Sequence, residues 1–194
     1  MTRTFALILM LTGLATRSLD GRVARSEQDP DTRFMQGMMV HHAQAVEMVA
    51  LIPGRSTRAD IRLLGQRIDV SQRDEIAMMR RWLQDHHQDV PRMDAREVHD
   101  SMTHDLMPMP GMLTRVQMTR LANASGGAFD TLFLQGMIQH HEGALAMVAQ
   151  LFATPGAGQQ SQVFAFASDV DADQRAEINR MRALLVALTG GVRK

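Results

Sequence analysis

The chain has 194 residues, and its 21 Lys and Arg balance 21 Asp and Glu, so it has no formal charge when its 8 His are neutral. That length suits one domain with a sizeable core, and the lack of a basic excess argues against a nucleic-acid binder. The absence of Cys removes disulfide scaffolds, zinc ribbons, thiolate clusters and cysteine nucleophiles, yet there are 17 Met.

Residues 1–28 read as a short secretory leader. Arg3 precedes the apolar run from Phe5 to Leu11, and Gly13-Leu14-Ala15 offers a small-x-small end. The run is too brief for a membrane span, and no other stretch approaches the roughly 20 apolar residues that one needs. The expected location is therefore the periplasm or the medium, where a Cys-free chain loses nothing to oxidation.

An internal repeat sets the expected architecture. The nineteen residues from Phe34 to Ile52 align with those from Phe133 to Leu151, 99 positions on, and ten are identical. The segments that follow match at an offset of 102: Gln72-Arg73-x-Glu75-Ile76 with Gln174-Arg175-x-Glu177-Ile178, and Met79 with Met181. The three-residue difference falls in the breaker-rich loops around Pro53-Gly54 and Pro155-Gly156.

Asp29-Pro30-Asp31 supplies a cap and an N1 proline for a first helix over about 31–52. A second helix is expected over about 58–87, and Thr114 caps a short one running through Leu121. A third follows Gly126-Gly127 over about 128–152, and a fourth spans about 160–188. With one Trp, no Tyr, six Pro and no sustained strand alternation, the chain reads as all-α. Two helix hairpins (29–88 and 128–188) joined by a long crossover connector (89–127) give a single four-helix bundle domain over 29–188 with internal pseudo-twofold symmetry.

At 100° per residue, Phe34, Ala45, Val49 and Ile52 fall within about 40° of Met38, which defines the buried face of the first helix. His42 lies inside that stripe, while His41 and Met48 share one shoulder. Met38 is within one turn of both histidines, whereas Met48 is about 10 Å along the axis from His41 and less suited to join it. Met137, His140, His141 and Met147 repeat the arrangement. One such His is ordinarily a satisfied core residue, and a Met stripe is ordinarily filler. Two His pairs, each beside a Met and retained between diverged halves, favour metal ligation, because an unsatisfied buried imidazole costs about 1–3 kcal/mol.

The donors select the metal. No Glu here is followed by His three positions on, so the di-iron pattern is missing, and no zinc-finger or His-Glu-x-x-His spacing occurs. Thioether with imidazole is a soft to borderline set that favours Cu(I), with Ag(I) as surrogate and His extending the range to Cu(II). The connector adds His86, His87, Met93, His99, Met102, His104, Met107, Met109 and Met112 as further candidate ligands, or as a flap of adaptable packing. Glu75 and Glu177 are placed to accept the free imidazole N–H groups. Met79 and Met181 read as core, Trp82 as an anchor at a bundle end, and Gln72-Arg73 and Gln174-Arg175 as solvated.

The pattern Phe34-x-x-x-Met38-x-x-His41-His42-x-x-Ala45-x-x-Met48, its copy from Phe133 to Met147, and the Gln-x-x-Glu-Ile-x-x-Met helices resemble the bacterial domain-of-unknown-function 305 family. The stretch from Met109 to Thr114 is similar to it as well. The resemblance implies a ferritin-like four-helix bundle, export, and for some members copper binding in the periplasm with a part in copper tolerance. It assigns the family's paired histidines to His41, His42, His140 and His141. The expected function is thus sequestration or transfer of copper, with a copper exporter or another periplasmic copper protein as partner. Two other classes stay open: a metal-dependent oxidoreductase in a ferritin-like bundle, and a metal-free interaction bundle. No catalytic triad or phosphate loop is recognisable.

Overall fold

The computed structural model describes residues 28–92 and 109–190. The expected leader falls almost wholly outside the described residues, as do Met93, His99, Met102, His104 and Met107 of the connector. In chain order the helices are α1 (Pro30–Ala50), α2 (Ile52–Arg55), α3 (Ala59–Asp85), α4 (Arg115–Asn123), α5 (Gly126–Ala153) and α6 (Ser161–Gly190). The described residues include no strand. None of these helices is long and apolar enough to cross a membrane.

Local chemistry explains the boundaries. Asp29 caps α1 by accepting from the Thr32 N–H at 2.9 Å, with Pro30 in the first turn where its missing N–H is harmless. The buried Asp31 carboxylate accepts from the Gly158 N–H at 2.6 Å and ties this end to the α5–α6 loop. Thr114 and Gln117 form a capping box at the start of α4. Two boundaries differ from expectation. The breaker-rich segment at Pro53 is itself a turn of helix, because proline is tolerated at a helix start. Gly126, at φ +58°, opens α5 two residues early.

The helices α1 and α3 pack as one hairpin, α5 and α6 as the other, and α1 against α5 joins them. The interior divides into two apolar clusters. One joins the first half of α1 (Phe34, Met35, Met38, Met39) to Met79 and Leu83 of α3, Met147 and Leu151 of α5, and Phe166 and Val170 of α6. The other joins Ala45, Met48 and Val49 to Ile61, Leu64 and Ile68 of α3, Phe133 and Met137 of α5, and Ile178 and Met181 of α6. Met79 and Met181 are core residues, as read from the sequence.

Between these clusters every long helix contributes polar side chains: His41 and His42, Gln72 and Glu75, His140 and His141, Gln174 and Glu177. Gln72 and Gln174, expected in solvent, are fully buried here, while Arg73 and Arg175 do lie outside on Asp69 and Asp171. Filling mid-bundle positions with apolar side chains would gain about 1.5–3 kcal/mol each. A polar layer through the middle of a core forgoes that gain.

Candidate metal centre

The four histidines meet where α1 and α5 cross. The His41 and His140 rings stand with centroids 3.8 Å apart, and each lies just over 6 Å from the ring of its neighbour in sequence. All four side chains are buried. Helical spacing alone put His42 on the core stripe and His41 on its shoulder. The second hairpin covers that shoulder.

Each imidazole has one nitrogen engaged. The Nε2–H of His141 donates to Glu177 at 2.6 Å, and that of His42 donates to Glu75. His140 donates to the backbone carbonyl of His41 at 2.8 Å, and His41 to the carbonyl of Pro110 at 3.0 Å. The backbone carbonyls of Pro110 and His41 are acceptors only, which fixes a proton on Nε2 of His41 and His140, and the carboxylates of Glu75 and Glu177 take up the Nε2–H of His42 and His141. The Nδ1 atoms of all four are buried without a hydrogen-bond partner. Among the described residues, seven of the nine such atoms belong to the polar layer, the others there being both amide atoms of Gln72 and Oε1 of Gln174.

Burial keeps His41 and His140 neutral. Burial, with His42 close by, pushes His41 down to about 3 from the usual 6.5. Burial likewise holds His140 well below the ordinary value, aided by His41 and His141. A neutral imidazole with a free lone pair is the form that binds a metal. At the outer edge, partial burial and then Glu75 and Glu177 raise the carboxyl of Asp173, so three carboxylates gather beside the layer. Their field favours an approaching cation.

The sulfur atoms sit to either side. Met38, Met48 and Met137 are fully buried, Met147 nearly so. Met48 and Met147 reach across to the opposite repeat, where glycines make room. A side chain at Gly136 would stand 3.2 Å from the Met48 methyl, and one at Gly37 would stand 3.4 Å from the Met147 methyl. These notches were missed from the sequence, although Gly37 and Gly136 occupy the same repeated position inside helices, where glycine is otherwise unfavourable.

A strap from Met109 to Leu113 closes the groove between α1 and α5. Gln44 grips it twice, donating to the Leu113 carbonyl at 2.9 Å and accepting from its N–H at 2.7 Å. On the other side, Gly143 allows the Pro110 carbonyl to approach, and Gly111 has φ +76° with Gln139 donating to its carbonyl at 3.2 Å. A Cβ at Gly143 would collide with that Pro110 carbonyl. Pro110 is exposed while its carbonyl holds His41. Met112 is buried and Met109 partly so.

His86 and His87 lie elsewhere. His86 caps α3, stacks on Trp82 with centroids 4.1 Å apart, and points Nδ1 at the Trp82 carbonyl. It is eleven residues, or about 16 Å, along the helix from Glu75. Among the described residues no group of three or more His, Cys, Asp or Glu is arranged to hold an ion by itself. Any ion at the unpaired Nδ1 atoms would need further donors, and thioethers with imidazole suit a soft ion.

No curated protein matches the chain significantly. A DUF305 protein of Streptomyces coelicolor described as secreted is 27% identical with a TM-score of 0.70, over 83% of this chain and 94% of that one. A DUF305 fragment from Deinococcus radiodurans is 27% identical with a TM-score of 0.67, over 80% and 95%. CopM, solved in a Cu(I)-bound form, is 25% identical with a TM-score of 0.60, over 79% and 94%. CopM has also been solved with Cu(II) and with Ag bound. The family model for a domain of unknown function, DUF305, matches residues 31–185, and the protein belongs to that family.

Proposed function

We propose that this protein binds copper, mainly as Cu(I), through Met and His, and serves copper sequestration, transfer or tolerance outside the cytoplasm. One observation carries the reading: four buried imidazoles all have Nε2 engaged and Nδ1 unpaired. A buried acceptor without a partner costs about 1–3 kcal/mol, and coordination would offset that for each ring. The donor set is His41, His42, His140 and His141 with Met38, Met48, Met137 and Met147; Glu75 and Glu177 orient two of the rings. Thioether and imidazole suit Cu(I) and Ag(I), and imidazole also suits Cu(II). The Cu(I)-bound CopM, with a similar fold at 25% identity, supports the choice of metal. Export is supported by the apolar run behind Arg3 and by the relative described as secreted.

A Cu(I) competition titration tests this. The wild type is compared with a variant carrying His41→Ala, His42→Ala, His140→Ala and His141→Ala, with helicity monitored by circular dichroism. A folded variant that has lost Cu(I) equivalents supports the reading. A folded variant with unchanged stoichiometry and affinity overturns it.

A further inference from the structure

The two halves of the bundle are not chemically equivalent. The apolar cluster around the first half of α1 contains Met35, Met38, Met39, Met79 and Met147, with Met78 and Met109 at its margin. The cluster at the other end contains Met48, Met137 and Met181, with Met118 at its margin. In the second repeat, Leu134 and Ile138 stand where the first has Met35 and Met39. Leu and Ile thus fill equivalent positions, so packing alone does not call for methionine there.

The glycine notches show the same asymmetry. At Gly136 the strap contributes Leu113, whose methyl would stand 3.0 Å from a side chain there, beside Met48. At Gly37 the strap contributes Met109, whose sulfur would stand 3.8 Å away, beside Met147. Two thioether side chains therefore converge on one glycine of α1, and only on that side of the pseudo-twofold axis. Met147 also lines a surface pocket of about 150 Å³ with Phe34 and Leu151, and the guanidinium of Arg33 at its rim is held by the Gln28 carbonyl.

We propose that the Gly37 notch is a separate site for a soft monovalent cation, Cu(I) or Ag(I), held by the thioethers of Met109 and Met147. Neutral thioethers select such ions over Zn(II) and the hard divalent cations. The site does not need the imidazoles; it shares Met147 with the donor set proposed above, and the four-histidine variant separates the two. Nothing equivalent forms at Gly136, because Leu113 has no donor atom.

Titration with Ag(I), which is redox-inert, is the test. Met109→Leu with Met147→Leu, close in volume and hence tolerated by the fold, is expected to lose one equivalent. The four-histidine variant is expected to keep that equivalent, and X-ray absorption of Ag(I) bound to it should show sulfur neighbours only. Leu113→Met, which sets a second sulfur beside Met48, is expected to gain one equivalent; this variant decides the matter if the double substitution fails to fold. Wild-type stoichiometry in a folded Met109/Met147 variant overturns the proposal. Loss of all Ag(I) from a folded four-histidine variant overturns it too, while leaving the histidine-based function intact.

Discussion

His41 and His140 occupy the same place in the two repeats, yet they are held differently: His140 donates to the backbone of His41, and His41 donates to Pro110 of the strap. Only His140 uses its counterpart's backbone, with the two rings 3.8 Å apart. The strap supplies the acceptor for His41. It is thus part of the histidine centre as well as a cover.

That arrangement fixes a pH dependence. His41, at about 3, and His140, well below its ordinary value, stay neutral in the folded protein while their unfolded counterparts protonate near 6.5. Above pH 6.5 neither contributes to the pH dependence. Below it the unfolded state binds more protons, and stability falls by about 1.4 kcal/mol per pH unit for each histidine, down towards pH 3 for His41. Urea unfolding between pH 7 and 5 should show this slope, and His41→Leu should reduce it. A flat profile would contradict the assigned neutrality.

Glu75 and Glu177 should tune copper affinity. Each accepts the Nε2–H of a buried histidine. Glu75→Gln and Glu177→Gln keep an acceptor but remove the charge that raises imidazole basicity. Cu(I) competition should show affinity lower by about tenfold or more in the double variant. Unchanged affinity would leave the carboxylates with a packing role only.

The strap depends on two glycines and one glutamine. Gly143→Ala places a methyl against the Pro110 carbonyl and should cost about 1–3 kcal/mol on thermal unfolding. Gly127→Ala, with open space around it, should be neutral or slightly stabilising. Gln44→Ala removes two buried hydrogen bonds and should cost about 1–3 kcal/mol.

Gln72 behaves in the opposite sense. Its amide is buried with neither end paired, so Gln72→Met should leave stability unchanged or raise it by about 1–2 kcal/mol in chemical denaturation. A loss of more than that would mean the amide has a partner in solution.

These residues mark how far the sequence can be read. The repeat from Phe34 to Met79 and its copy revealed the helix pairs, because a duplicated pattern displays its own period. The offset that aligns Glu75 with Glu177 also pointed to the carboxylates that meet His42 and His141. Gln72 was misjudged because a helical wheel sends polar residues outward, and only the facing hairpin buries this one. Met147 was read within its own repeat, but its destination at Gly37 depends on how the hairpins cross. The fit of Gly111 against α5 is likewise a tertiary fact with no local signature.

Copper bound as proposed would be taken by the Nδ1 atoms of four Nε2-protonated histidines. Long-range proton–nitrogen NMR correlation of the ¹⁵N-labelled protein, recorded with and without Ag(I) or Cu(I), reads each ring nitrogen directly. Metal is expected to move the Nδ1 resonances of His41, His42, His140 and His141 while their Nε2 nitrogens stay protonated. Metal binding that leaves all four rings unchanged, or that perturbs Nε2 instead, would contradict this assignment.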